Sequence, residues 1–117
     1  MNDLLEIRTV VREFVAERGW DRTQNPKNLA ITLSLEAAEV LEHFQWLSVE
    51  ASAALPEATR KAVGDELADV LMGVVRLADL LEIDLGEAFG AKMVENRRKY
   101  PPEKVRGRSI KHTDLEP

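Results

Sequence analysis

Apolar positions recur at helical spacing through most of the chain. Leu4, Ile7, Val11 and Phe14 share one face of a first predicted helix, with Asp3 placed to cap it and Gly19 to stop it. A loop over residues 20–27 carries Pro26. A second helix is predicted from about residue 28 to 47, then a connection over 48–55 with room for a short helical turn. Pro56 suits the first turn of a third helix, which reaches about Leu81. Asp84, with Glu87 three residues on, reads as a capping-box-like start for a fourth helix that ends before Pro101 and Pro102. Residues 103–117 carry several charges and little periodicity, and read as an extended tail.

Strand signals are missing: β-branched runs are short, and no Asn-Gly or Asp-Gly turn occurs. The expected fold is therefore all-α, a four-helix bundle over residues 1–102 followed by the tail. Helices two and three are apolar on more than one face. They are expected to form the centre, with an oligomer covering what one bundle cannot.

Composition narrows the class. At 117 residues the chain is long enough for one domain with its own core. With 21 acidic and 16 basic side chains the formal net charge is −5, which argues against a nucleic-acid polymer as partner. There is no cysteine, so disulfides and thiolate metal sites are excluded, as suits a reducing cytoplasm. The first 15 residues lack a signal-peptide pattern, and no apolar stretch approaches the roughly 20 residues of a membrane span. A cytoplasmic protein without membrane association is the expectation.

The charge is not spread evenly. On the second helix Glu36, Glu39 and His43 form a narrow stripe between apolar shoulders that include Leu29, Val40, Leu35 and Trp46. The third helix repeats the arrangement, with Glu66 and Asp69 beside Val63, Val70, Val74 and Leu77. Acidic pairs at i, i+3 are common in so acidic a chain, and most belong to solvated faces. The apolar flanks set these two pairs apart. Four carboxylates gathered beside a core repel one another, and burying them unpaired is costly. A hard cation relieves both problems, and oxygen donors without cysteine favour Mg²⁺ or Mn²⁺ over Zn²⁺.

The fourth helix supplies the complementary sign. Lys92, Asn96 and Lys99 fall within its apolar sector, where they suit an anionic ligand; the competing reading is a snorkelling stem or an i, i+4 pair of Glu95 with Lys99. Trp20 and Trp46 can stack on a base or fill a core or an interface. Gln24, Lys27 and Asn28 lie where a loop enters the second helix, within reach of a base or a phosphate. Carboxylate ligands facing cationic donors is the arrangement that a metal–polyphosphate substrate needs.

These residues fall in a familiar order. Glu36-Ala-Ala-Glu39 followed by Glu66-Leu-Ala-Asp69 resembles the metal motif of the all-α MazG-like nucleotide pyrophosphohydrolases. Gly19-Trp20, Asn25 through Leu29, Glu42 through Trp46, Lys92-Met93 and Asn96 through Pro101 extend the resemblance to that family's small single-domain branch, which includes the dCTP pyrophosphatases. The resemblance implies Mg²⁺-dependent cleavage of a nucleoside triphosphate to the monophosphate and pyrophosphate, as a house-cleaning activity. It implies Glu36, Glu39, Glu66 and Asp69 as metal ligands, with Glu39 or Glu36 serving the attacking water. It implies Trp20 and Trp46 at the base, and Asn28, Lys92, Asn96 and Lys99 among the substrate contacts. It also implies a homodimer or homotetramer.

Two positions depart from the dCTP-specific pattern: Gln24 stands where histidine is usual, and Gly73 where tyrosine is usual. By helical angle Gly73 is expected to open space between Glu66 and Asp69, one turn on. The alternative to an enzyme is a non-catalytic helical dimerisation or regulatory module. A di-iron bundle ranks last, because its Glu-x-x-His pairs are missing.

Overall fold

The structure is a computed structural model and describes residue 1 and residues 3–115. Helix α1 (Leu4–Glu17) starts where the Asp3 carboxylate accepts from the Leu5 amide at 2.8 Å. It stops at Gly19, whose φ of 69° is the left-handed conformation that glycine adopts without cost. A single 3₁₀ turn, Trp20–Arg22, leads to α2 (Pro26–Glu42).

Helix α2 begins and ends earlier than its periodicity suggests. The Asn25 side chain accepts from the Asn28 amide at 2.9 Å, and Pro26 occupies the first turn, where its missing N–H is not needed. At the other end His43 and Phe44 turn to shorter i, i−3 bonds, with the Phe44 amide 2.8 Å from the Leu41 carbonyl. Ser48 then caps a new one-turn helix, α3 (Val49–Ser52). Trp46 therefore lies on a turn and not on a helix face.

Helix α4 (Glu57–Leu80) follows Pro56 and closes with a Schellman arrangement. The Ile83 amide donates to the Ala78 carbonyl at 2.8 Å and the Glu82 amide to Asp79 at 3.2 Å. Glu82 takes the left-handed position, φ 54°, that glycine usually fills. Helices α5 (Leu85–Lys99) and α6 (Pro102–Val105) complete the order, with Asp84 capping α5 through the Glu87 amide at 3.0 Å. The segment after Pro101 is not wholly extended: it holds α6 and a 3₁₀ turn at His112–Asp114.

All described secondary structure is helical, so the all-α expectation holds. The chain forms two compact units, one ending at Ile83 and one from Asp84 onward. In the first, α4 is the central element, packed along α2 and more lightly against α1. Among the described residues Leu29, Val75 and Ala78 are the buried apolar ones, all on α2 and α4. Other apolar residues of the same helices stay open in the single chain, with Leu35 60% and Leu67 53% exposed. In the second unit Glu95 pairs with Lys99 at 2.8 Å and with Lys92 at 3.6 Å, and Tyr100 meets His112 edge to face at 5.8 Å. No helix among the described residues is long and apolar enough to cross a membrane.

Candidate metal centre and neighbouring cavity

Helices α2 and α4 bring three of the four expected metal ligands together; Asp69 is near enough for its charge to act on Glu36 but is not one of the cluster. One carboxylate oxygen from each of Glu36, Glu39 and Glu66 lies within 4.8 Å of the others. The i, i+3 spacing puts Glu36 and Glu39 on adjacent turns of α2, and the packing of α4 sets Glu66 opposite.

The electrostatics are those of a repulsive cluster. Partial burial pushes the Glu36 carboxyl up from 4.5, and the charges of Glu39, Asp69 and Glu66 push it further. Glu66 is raised first by its contact with Glu39, then by burial, while His43 opposes the shift. His43 Nε2 stands 3.6 Å from Glu66 Oε1, a long contact that neutralises little. The second oxygen, Glu66 Oε2, is buried with no hydrogen-bond partner. Leaving such an oxygen unsatisfied is costly. Hard oxygen donors, excess negative charge and an orphaned acceptor together fit a divalent cation of the Mg²⁺ or Mn²⁺ type.

Gly73, one turn beyond Asp69, does not open free space. A Cβ added there would stand 3.1 Å from Leu33 Cδ1 and 3.6 Å from Leu33 Cβ. At this glycine α2 comes close to α4, and Leu33 occupies the volume that helical angles alone assign to a gap. A wheel drawn for one helix carries no information about the helix that faces it.

A cavity of about 390 Å³ lies further along the same helices. Val11 and Val15 of α1, Trp20, Gln24, Leu29 of α2 and Arg76 of α4 line it, with Arg12, Asp79, Asp21 and Glu82. Leu29 precedes Glu36 by two turns and Arg76 follows Asp69 by two turns, so the cavity is about 10 Å along the helices from the acidic cluster. Trp20 is fixed by an edge-on contact with Phe14 at 5.6 Å. Arg12 and Asp79 form a two-pronged ion pair, with Nε 2.8 Å from Oδ2, and Arg12 accordingly pulls the Asp79 carboxyl below 3.8. This cross-helix pair is absent from the sequence reading. Its partners stand 67 residues apart and no local spacing marks them.

The other expected site residues are distributed differently. Asn28 lies exposed in the first turn of α2, its amide held by Asn25, and it does not line the cavity. Trp46 is 87% exposed, so it fills no core in the single chain. Lys92, Asn96 and Lys99 belong to the second unit, where both lysines pair with Glu95.

The chain thus joins an all-helical fold to a carboxylate cluster on two packed helices, with a cavity further along them. Residues 31–115 match the description of the MazG-like family, and the chain belongs to that family. The chain is 41% identical over 114 residues to dCTP pyrophosphatase 1 of Mus musculus, and that match covers 96% of this chain and 67% of the relative. It is 39% identical over 114 residues to dCTP pyrophosphatase 1 of Homo sapiens, with the same coverage. The crystal structure of a pyrophosphatase from Archaeoglobus fulgidus superposes with a TM-score of 0.76 at 43% identity, covering 82% of this chain and 90% of that one.

Proposed function

We propose that this protein is a nucleoside triphosphate pyrophosphohydrolase, cleaving a (d)NTP to the monophosphate and pyrophosphate as a house-cleaning enzyme. The observation that carries the reading is the convergence of Glu36, Glu39 and Glu66 around an orphaned, buried carboxylate oxygen. The kinship with dCTP pyrophosphatases at 39–41% identity supplies the substrate class.

Glu36, Glu39, Glu66 and Asp69 would hold the divalent cation, Mg²⁺ with Mn²⁺ as substitute. When bound, such a cation would neutralise phosphate oxygens and make the attacking water more acidic. Glu39, in range of both Glu36 and Glu66, takes the proton of the attacking water. The water oxygen bonds to the α-phosphorus, the bond to the bridging oxygen breaks, and pyrophosphate leaves with that electron pair. Trp20, on the cavity wall, holds the base, and Trp46, Asn28, Lys92, Asn96 and Lys99 are the further substrate contacts that the family resemblance implies. The open apolar residues on α2 and α4 support a homodimer or homotetramer. A chain with no cysteine suits a cytoplasmic location.

The test is pyrophosphate release from a panel of nucleoside triphosphates with Mg²⁺, for the natural protein and for Glu39→Ala and Asp69→Ala. Release by the natural protein and its loss in both variants is expected. Release of orthophosphate instead, or full activity in either variant, refutes the assignment.

A further inference from the structure

The cavity beside the acidic centre holds one cation with nothing to neutralise it. Arg76 is half-buried at the cavity wall, its guanidinium 5.6 Å over the Trp20 ring. Among the described residues it makes no hydrogen bond and no ion pair. Asp79, three residues on along the same helix, is committed to Arg12. Asp21 and Glu82 also line the cavity but do not reach Arg76. Burial pushes the Arg76 guanidinium below the ordinary arginine range, because part of its water is lost. On the same wall Gln24 Oε1 is buried with no hydrogen-bond partner.

A guanidinium offers donors only, whereas a carboxamide oxygen accepts. The ligand that satisfies both is a flat ring, stacked on Trp20, that presents a carbonyl oxygen to Arg76 and an N–H to Gln24. Nucleobases are such rings, and uracil, thymine, cytosine, guanine and hypoxanthine all carry a ring carbonyl. Adenine carries none. We propose that Arg76 is the residue that selects carbonyl-bearing bases and disfavours adenine, with Gln24 as its partner at the base edge. The inference rests on the cavity being the base end of the nucleotide site proposed above. Its position two helical turns from the acidic centre leaves the sugar and phosphates to span the remainder.

The matched pair dITP and dATP isolates the claim, because the two purines differ chiefly in a carbonyl against an amino group. In Mg²⁺ the natural protein is expected to favour dITP over dATP in kcat/KM by about tenfold or more, the range of a charge-assisted hydrogen bond. In Arg76→Leu the ratio falls to within about threefold, through a higher KM for dITP, with kcat and Mg²⁺-dependent thermal stabilisation retained. Arg76→Lys keeps the charge without the planar fork and gives an intermediate ratio. Thermal melts of both variants check the fold; Arg76→Leu removes an unpartnered charge and is expected to melt no lower than the natural protein. Equal use of dITP and dATP by the natural protein, use of dCTP but of neither purine, or an unchanged ratio in Arg76→Leu overturns the Arg76 assignment alone. Absence of pyrophosphate release from every triphosphate overturns the proposed activity itself.

Discussion

Gly73 offers a quantitative test of how α2 and α4 are held together. Non-bonded carbons sit best at about 3.5–4.0 Å. A Cβ at Gly73 would approach Leu33 Cδ1 at 3.1 Å, Leu33 Cβ at 3.6 Å and the Leu33 Cα at 3.8 Å. Gly73→Ala thus conflicts with one methyl at the end of a side chain that can rotate. Against that conflict stands a helix-propensity gain of about 1 kcal/mol for alanine over glycine. The net change is expected to stay within about 1 kcal/mol of zero. Gly73→Val is different, because it adds two more carbons to a Cβ that already lies 3.6 Å from Leu33 Cβ and 3.8 Å from Leu33 Cα, atoms that move only if α2 moves. Its expected cost is about 1–3 kcal/mol.

Leu33→Ala alone costs about 1–2 kcal/mol, the low end for leucine truncation at a half-buried position. The double variant Gly73→Val, Leu33→Ala should be more stable than the sum of its parts by about 1 kcal/mol or more, because the truncation makes room for the valine and the valine fills the gap it leaves. Urea unfolding followed by far-ultraviolet circular dichroism measures all four proteins. Additive losses, to within about 0.5 kcal/mol, refute the steric account. Because the same contact spaces Glu36 and Glu39 from Glu66, Gly73→Val should also weaken Mg²⁺-dependent stabilisation. Gly73→Ala should leave it nearly intact.

Further outcomes follow from the charges. Glu39→Gln is expected to raise the melting temperature of the metal-free protein, by relieving repulsion, while abolishing the shift produced by Mg²⁺; a lowered metal-free melting temperature contradicts the repulsion. Glu36 and Glu66 are raised above 4.5, so the folded protein holds protons that the unfolded chain releases. Metal-free stability should therefore fall as pH rises above 4.5 through their folded values, and saturating Mg²⁺ should flatten that fall in melts across pH. Asp79 is lowered below 3.8, so its contribution is present above 3.8 and is lost as pH falls further. Arg12→Ala should shrink that acid-side loss in the same melts. Trp46→Ala should leave the urea midpoint unchanged, since the ring is 87% exposed, and should raise KM for the triphosphate if the ring contacts the substrate.

Much of this protein is written locally. Asp3, Ser48 and Asp84 sit before their helices with amides two or three residues on within reach, so those starts are fixed by short-range hydrogen bonding. Asn25-Pro26 carried the same signal for α2, and a start near residue 28 overlooked it. The end of α2 had no glycine or proline to mark it, and apolar periodicity ran on through Trp46 past the point where the backbone tightens at His43. The acidic pairs were legible because i, i+3 spacing sets them on one face of each helix whatever the fold.

Other features depended on which helix meets which. Glu36, Glu39 and Glu66 become one centre only because α2 packs along α4, and the same packing turns Gly73 from an apparent gap into a tight contact with Leu33. The ion pair of Arg12 with Asp79, and the cavity that leaves Arg76 without a partner, join residues far apart in the chain. By itself the sequence determined helix class, most caps, and the chemistry each helix face can offer, since these follow from neighbours within one or two turns. Tertiary structure alone decided which faces converge, which charges are neutralised and which remain open to a ligand, because long-range packing sets those distances and no local period encodes it.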